Sequence, residues 1–250
     1  MRIISIANNK GGIGKTTSTV NIGAGIALGG KKVLLVDLDP QANLSKSLGV
    51  REPEKTIYES LTEETDIPIV SISENLDLAP ATLKLSKAET QLDPAQGDHF
   101  ILKEQLEKLD GTYDYVYIDC PPSLSILTMS ALLASTEVFV PVQSEFLSLE
   151  GLASLTESLE KITKRLNPQL KVTGVFATRF DSRKVLNRNV VEVLEQQFPN
   201  ELFKTKIRDN IALAEAPSKR MDIFRYAPYS YGAKDYADLC VEILERHSKA

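Results

Sequence analysis

The first 17 residues read MRIISIANNKGGIGKTT, and Lys10-Gly11-Gly12-Ile13-Gly14-Lys15-Thr16-Thr17 within them decides the fold. The run Arg2–Ala7 has the length and Ile content of a buried strand, and Lys15–Leu28 continues with helical spacing. A glycine-rich turn between a strand and a helix is the context a phosphate-binding loop requires. Without Cβ atoms the backbone N–H groups can approach phosphate oxygens, and the helix N-terminus adds partial positive charge. On this reading Lys15 reaches the β- and γ-phosphates of a nucleotide and the Thr16 hydroxyl binds Mg2+. The strict pattern G-x-x-x-x-G-K-[ST] fails at position 9, which is Asn rather than Gly. A second lysine, Lys10, opens the loop instead.

Outward from the loop, short Ile- and Val-rich runs alternate with longer helical patterns. Lys32–Asp37, Asp114–Asp119, Glu137–Val142 and Val172–Thr178 read as further strands. Leu124–Ala134, Leu149–Leu166, Lys184–Phe198 and Ala233–Glu245 read as helices. Near-continuous apolar strands alternating with helices predict an α/β fold: a doubly wound, mostly parallel twisted sheet covered on both faces. Residues 51–97, acidic and punctuated by proline, are the least readable part. No repeat or Gly/Ser linker divides the chain, so residues 1–250 are expected to form one P-loop domain.

The composition narrows the function. With 42% hydrophobic and 25% charged residues the chain has a soluble globular make-up, which excludes disordered and collagen-like classes. The N-terminal apolar run breaks at Asn8, too early for a signal peptide, so a cytoplasmic protein is expected. Two cysteines, Cys120 and Cys240, and two histidines, His99 and His247, support neither a disulfide framework nor a histidine-based zinc centre.

Phosphoryl transfer needs a metal and a positioned water. Asp119 ends the run Tyr115-Val116-Tyr117-Ile118, which places its carboxylate at the sheet edge beside the loop, in the Walker B position for holding Mg2+ through a water. Asp37 and Asp39 follow the second strand in VDLDPQAN, and a spacing of two puts them on one side of an extended segment. Capping of the next turn is the alternative reading of that pair.

The octapeptide K-G-G-I-G-K-T-T resembles the deviant Walker A motif of the MinD/ParA family of ATPases. The resemblance extends through Leu78-Ala79-Pro80-Ala81-Thr82, Asp119-Cys120-Pro121-Pro122-Ser123, Pro141-Val142-Gln143 with Glu145, Leu149-Glu150-Gly151-Leu152 and Ala214-Glu215-Ala216-Pro217-Ser218, nearly the whole chain. These segments are similar to short, Soj-type ParA proteins without an N-terminal helix-turn-helix domain. The resemblance implies an ATP hydrolase using ATP and Mg2+. It also implies an ATP-dependent sandwich homodimer, non-specific binding to double-stranded DNA, stimulation by a ParB-type partner, and segregation of chromosome or plasmid DNA at the nucleoid. It assigns Lys10 to the partner subunit's nucleotide, water activation to Asp39, the magnesium shell to Asp37, and a place near the adenine to Asn210. Asp209 lies beside that position, and Thr178 and Arg179 are further candidates for the base pocket.

One departure concerns the segment Ile207-Arg208-Asp209-Asn210-Ile211-Ala212. Soj-like proteins carry Pro-Arg-Asn-Val-Arg there, so an acid and an alanine replace two arginines and DNA-contact assignments at those positions do not transfer. A basic balance exists elsewhere. Residues 160–234 hold 15 Lys and Arg against 8 Asp and Glu, a balance of +7 in a chain of net charge −5. Such asymmetry points to a polyanion-facing side, with ordinary solvated helix faces as the alternative. Candidate phosphate contacts are Arg183, Lys184, Arg188, Lys204, Lys206, Lys219, Arg220 and Arg225.

Three other functions compete. A protein cargo positioned on the nucleoid would use the same ATPase. A MinD-like membrane-surface regulator would need a basic amphipathic C-terminal helix, whereas residues 236–246 carry acids on their polar face and read as a helix packed on the domain. An iron–sulfur reductase would need paired cysteines, and Cys120 reads as a small buried residue.

Overall fold

In the computed structural model, residues 1–145 and 147–249 are described, with the side chains of Leu147, Leu149 and Glu150 left aside, so the resemblance at Leu149 and Glu150 lies outside the described side chains. In chain order the elements are β1 (Arg2–Ile6), α1 (Lys15–Leu28), β2 (Val33–Asp37), α2 (Asn43–Ser47), α3 (Ile57–Thr62), β3 (Val70–Ser73), β4 (Leu76–Ala79), α4 (Ala88–Gln91), α5 (Ile101–Glu107), β5 (Tyr115–Asp119), α6 (Ile126–Ala134), β6 (Glu137–Gln143), α7 (Leu147–Arg165), β7 (Lys171–Thr178), α8 (Val185–Gln197), α9 (Ile211–Glu215), α10 (Ile223–Tyr226) and α11 (Tyr231–Lys249). Short 3-10 turns cover Leu83–Lys87, Pro94–Gln96, Asp98–Phe100 and Ala216–Lys219.

The strands form one seven-stranded sheet in the order β3-β4-β2-β5-β1-β6-β7. Every pairing is parallel except β3 with β4 at one edge. The expected α/β architecture is therefore present, with all five strands and five helices read from the sequence in place. The antiparallel β3–β4 pair and the short helices between β2 and β5 are additions in the stretch that was hard to read.

Alternation along each strand explains why the runs look uniformly apolar. Leu34, Val36, Val116, Ile118, Val138 and Val140 pack on one face beneath α3, α5, α6, α7 and α8. Val33, Leu35, Tyr115, Tyr117 and Phe139 pack on the other beneath α1 and α11. Both faces are buried, so no polar side is needed. α11 buries Tyr236, Leu239, Cys240 and Ile243. It approaches α1 closely because Gly25 has no side chain: a Cβ there would stand 2.6 Å from the Cys240 sulfur. At the far end of α11, His247 Nε2 lies 3.2 Å from Glu137 Oε2, and Arg2 donates to the other oxygen of Glu137 at 2.8 Å. Among the described residues no helix is long and apolar enough to cross a membrane.

Candidate nucleotide site

The loop between β1 and α1 lies at the carboxyl edge of the sheet, where β1 is flanked by β5 and β6. Gly12 (φ 74°) and Gly14 (φ 96°) adopt left-handed backbone, which glycine alone enters without strain. Gly14 precedes α1, whose first turn has no side-chain cap and no acidic residue. The N–H groups of that turn are therefore left for an anion. Asn8 fixes the loop entrance: its Nδ2 donates to the Pro141 carbonyl (2.9 Å), and its Oδ1 accepts from the Lys10 N–H (3.2 Å). Thr178 fixes the other side by donating to the Ile13 carbonyl at 2.8 Å.

Lys15 is buried, and its Nζ donates to the carbonyls of Asn8 (3.1 Å) and Lys10 (3.0 Å). Burial lowers its pKa, partly offset by the nearby carboxylates of Asp119 and Asp39. A cation sharing a loop with two carbonyls is poised for stronger acceptors such as phosphate oxygens. Lys10 differs. Its Nζ is only loosely held, 3.4 Å from Ser148 Oγ and 3.5 Å from Glu145 Oε2, and Glu145 is 54% exposed.

Three oxygen donors converge beside the loop. Strand register places Asp37 and Asp119 opposite each other on neighbouring strands, both fully buried. Thr16 donates to Asp119 Oδ2 at 2.7 Å. Burial raises the Asp119 carboxyl to about 8, with repulsion from Asp37 adding to the effect, and raises Asp37 to about 6. Two buried carboxylates and a hydroxyl are hard oxygen donors whose charge calls for a cation, which fits Mg2+. No group of three or more His, Cys, Asp and Glu forms a complete metal cage among the described residues. Mg2+ keeps waters and takes part of its ligands from substrate phosphates. Asp39 lies one turn on. Its Oδ1 caps Gln41 N at 2.9 Å, so the turn-capping alternative is realised by one of its two oxygens.

A cavity of about 570 Å³ opens beside the loop, bounded by Gly12, Gly14, Thr17, Thr178, Arg179, Asp209 and Asn210. The four residues expected near the base thus meet at one cavity. Arg179, itself in left-handed backbone, pairs with Asp209 at 3.6 Å. Asn210 Oδ1 caps α9 through Ala212 N (3.0 Å), which leaves its amide nitrogen as the group able to donate to a base.

The basic candidates are dispersed and differ in how they are held. Arg183 is forked onto Asp181 (3.0 and 2.9 Å), and Arg225 is paired with Asp222. Lys206 is half-buried with Nζ 6.0 Å from the Phe180 ring, and Arg188 donates to the Ser182 carbonyl at 2.6 Å. Lys184, Lys204, Lys219 and Arg220 are exposed, with no carboxylate partner among the described residues. Cys120 is buried, its thiol pushed up to about 12 by burial, and Cys240 is packed under α1. Sequence reasoning passed over Asn8 and Ser45. The first was hidden by the absence of a motif, the second because its partner lies on another element.

A glycine-rich loop with two lysines, opening a helix at the carboxyl edge of a parallel sheet beside paired buried aspartates, defines a P-loop ATPase of the deviant Walker A class. The comparisons with known proteins agree. A family model described as an AAA domain (AAA_31) matches residues 1–172. The sporulation initiation inhibitor protein Soj of Bacillus subtilis is 44% identical over 247 residues, covering 97% of this chain and 98% of that protein. The chromosome-partitioning ATPase Soj of Treponema pallidum is 41% identical, covering 98% of each. Among solved structures, cobyrinic acid a,c-diamide synthase from Mycobacterium smegmatis, with bound ATP analog and magnesium, superposes with a TM-score of 0.86. It is 33% identical, and the match covers 100% of this chain and 96% of that one. The chain belongs to the ParA/Soj family of partition ATPases. It is an ATP hydrolase, and its cofactors are ATP and Mg2+.

Proposed function

We propose that this chain segregates chromosome or plasmid DNA by switching between a monomer and an ATP-bound homodimer that holds non-specific DNA, with hydrolysis stimulated by a ParB-type partner. The observation that carries the reading is the contrast between the two loop lysines: Lys15 is buried under its own loop, whereas Lys10 is loosely paired at the mouth. An exposed ion pair of this kind contributes little, so Lys10 leaves it at small cost and is free to reach a second subunit's phosphates.

Within one subunit the loop N–H groups and Lys15 bind the β- and γ-phosphates, and Thr17, in the first turn of α1, lines the cavity beside the loop. Thr16, Asp37 and Asp119 hold Mg2+, which supplies charge neutralisation at the phosphates. Asp39 orients water through its uncapped oxygen, and a carboxylate suffices because metaphosphate-like transfer needs positioning more than a strong base. Asn210 and Asp209 line the base end, with Arg179 and Thr178 beside them.

DNA is bound through phosphates by Lys184, Lys204, Lys219 and Arg220, with Arg183, Arg188, Lys206 and Arg225 able to join after exchanging their present partners. Dimerisation doubles this field. The protein is thus expected in the cytoplasm at the nucleoid, as one 1–250 domain. The apolar stripe Tyr236, Leu239, Cys240 and Ile243 of α11 is buried against the domain, while Tyr231 and Val241 of the same helix are exposed. A gel-shift series with ATP, ADP and no nucleotide tests the proposal. Retardation only with ATP is expected; equal DNA binding in all three, or none at low salt, refutes it.

A further inference from the structure

We propose that Ser45, on α2, is a positioning residue for magnesium-dependent ATP hydrolysis, fixing the carboxylate of Asp37 from behind. The proposal rests on the reading that Asp37 belongs to the magnesium shell.

Ser45 is fully buried and makes three hydrogen bonds that admit one arrangement. Its backbone N–H donates to Asp37 Oδ2 at 2.8 Å, and its hydroxyl donates to the same oxygen at 2.7 Å. The N–H of Ala81 donates to the Ser45 hydroxyl oxygen at 2.9 Å. A hydroxyl has one proton. With Ala81 N–H occupying a lone pair, that proton has to point at Asp37, so the rotor is locked.

The consequence for Asp37 is asymmetric. Oδ2 is saturated by two short bonds from Ser45, whereas Oδ1 takes one longer bond from Asp39 N at 3.3 Å. The carboxylate is thus clamped by one oxygen, and the other keeps capacity for a further donor. Ala81 follows β4, which pairs with β2, so the hydroxyl also ties the ends of two neighbouring strands to α2. A group needed only to fill space here could be apolar. A buried hydroxyl with both roles satisfied instead fixes direction, as groups behind metal ligands do.

The test compares Ser45→Ala, Ser45→Thr and Asp37→Asn. Binding of a fluorescent ATP analogue is titrated with Mg2+ and repeated in EDTA, alongside steady-state ATPase. Loss of a residue behind a metal ligand lowers metal affinity or activity by roughly 10–100-fold. Ser45→Ala is therefore expected to raise the half-saturating Mg2+ concentration by about tenfold or more, leave binding in EDTA unchanged, and lower kcat. Ser45→Thr, which keeps the hydroxyl, is expected to stay close to wild type. An unchanged Mg2+ dependence in Ser45→Ala, an equal weakening in EDTA, or a Ser45→Thr shift as large as that of Ser45→Ala overturns the proposal. Asp37→Asn separates the two readings. If it leaves the Mg2+ dependence unchanged, the shell assignment fails; if it shifts the dependence and Ser45→Ala does not, only the Ser45 role fails. Should Ser45→Ala not fold, Ser45→Cys, close in shape and a weak donor, carries the same expectation.

Discussion

Asp119→Asn is expected to make the nucleotide-free protein more stable while removing its ATPase activity. In the folded state burial raises Asp119 to about 8 from 3.8, with Asp37 at its side raised to about 6. Each unit is worth about 1.4 kcal/mol. The rise at Asp119 therefore sets an upper limit of roughly 6 kcal/mol on the cost of keeping it ionised at high pH. Between pH 4 and pH 8 the folded state binds more protons at these two sites than the unfolded chain, so stability falls as pH rises through that window. Glu59 and Glu137 are lowered to about 2 and act in the opposite sense, but only below about pH 4.5, where their unfolded forms begin to protonate. They do not mask the decline above pH 5. Asparagine removes the charge and still accepts from Thr16; a weakened hydrogen bond costs about 1 kcal/mol. Allowing for that and for water entry, a net gain of about 2–4 kcal/mol at pH 8.5 is expected. Urea unfolding in EDTA at pH 5.5 and pH 8.5 measures it. Wild type should lose stability between the two while the variant changes less, and excess ATP with Mg2+ should restore the wild type by mass action but not the variant. An Asp119→Asn protein no more stable than wild type at pH 8.5 would refute the argument that these carboxylates store a cost that the cation relieves.

Lys15→Ala should abolish tight ATP binding, whereas Lys10→Ala should retain it and lose ATP-dependent dimerisation; a full-strength Lys10→Ala dimer in light scattering would remove the cross-subunit role. Asp39→Ala should keep ATP and hold the dimer while single-turnover cleavage stops, and cleavage at the wild-type rate would leave Asp39 only its cap on Gln41. DNA affinity should be insensitive to base sequence and fall with salt, log K dropping by roughly 0.9 per phosphate contacted for each decade. Lys219→Ala or Arg220→Ala should lower that slope by about one, whereas Arg183→Ala and Arg225→Ala should lower it less, and equal slopes for all four would show that their carboxylate partners do not matter.

What could be read from the sequence divides along the distance over which each feature is fixed. The phosphate loop is set by neighbouring backbone: left-handed Gly12 and Gly14 and the uncapped start of α1 are properties of eight consecutive residues, and the spelling alone exposes them. The central strands are legible because burial on both faces leaves no polar interruption. β3 is not, since its residues are half-buried and exposed in turn, and only Asn75, in left-handed backbone (φ 61°) between β3 and β4, marks the turn. A readable signal did exist at α3, where Thr56 and Glu59 form a capping box ahead of an otherwise obscure stretch. The pairing of Asp37 with Asp119 follows from strand register, so the motif reading places both correctly, but the clamp on Asp37 comes from Ser45 on α2, held in turn by Ala81 two residues past β4, which no spacing rule connects. The basic balance shows the same limit from the other side. A count treats Arg183 and Arg225 like Lys219 and Arg220, yet the first two are neutralised by Asp181 and Asp222, two and three residues away. An aspartate at that distance is visible in the sequence, and whether it pairs depends on its own position: both carboxylates are more buried than the arginines that reach them, so each arginine is drawn in to satisfy an acid already fixed by the fold. Around Lys219 and Arg220 the nearby acids are already engaged, Asp222 by Arg225 and by the cap of α10 and Glu215 by the Tyr226 hydroxyl, so the charge there is free to meet a phosphate backbone and that turn is the first place to seek the DNA contact.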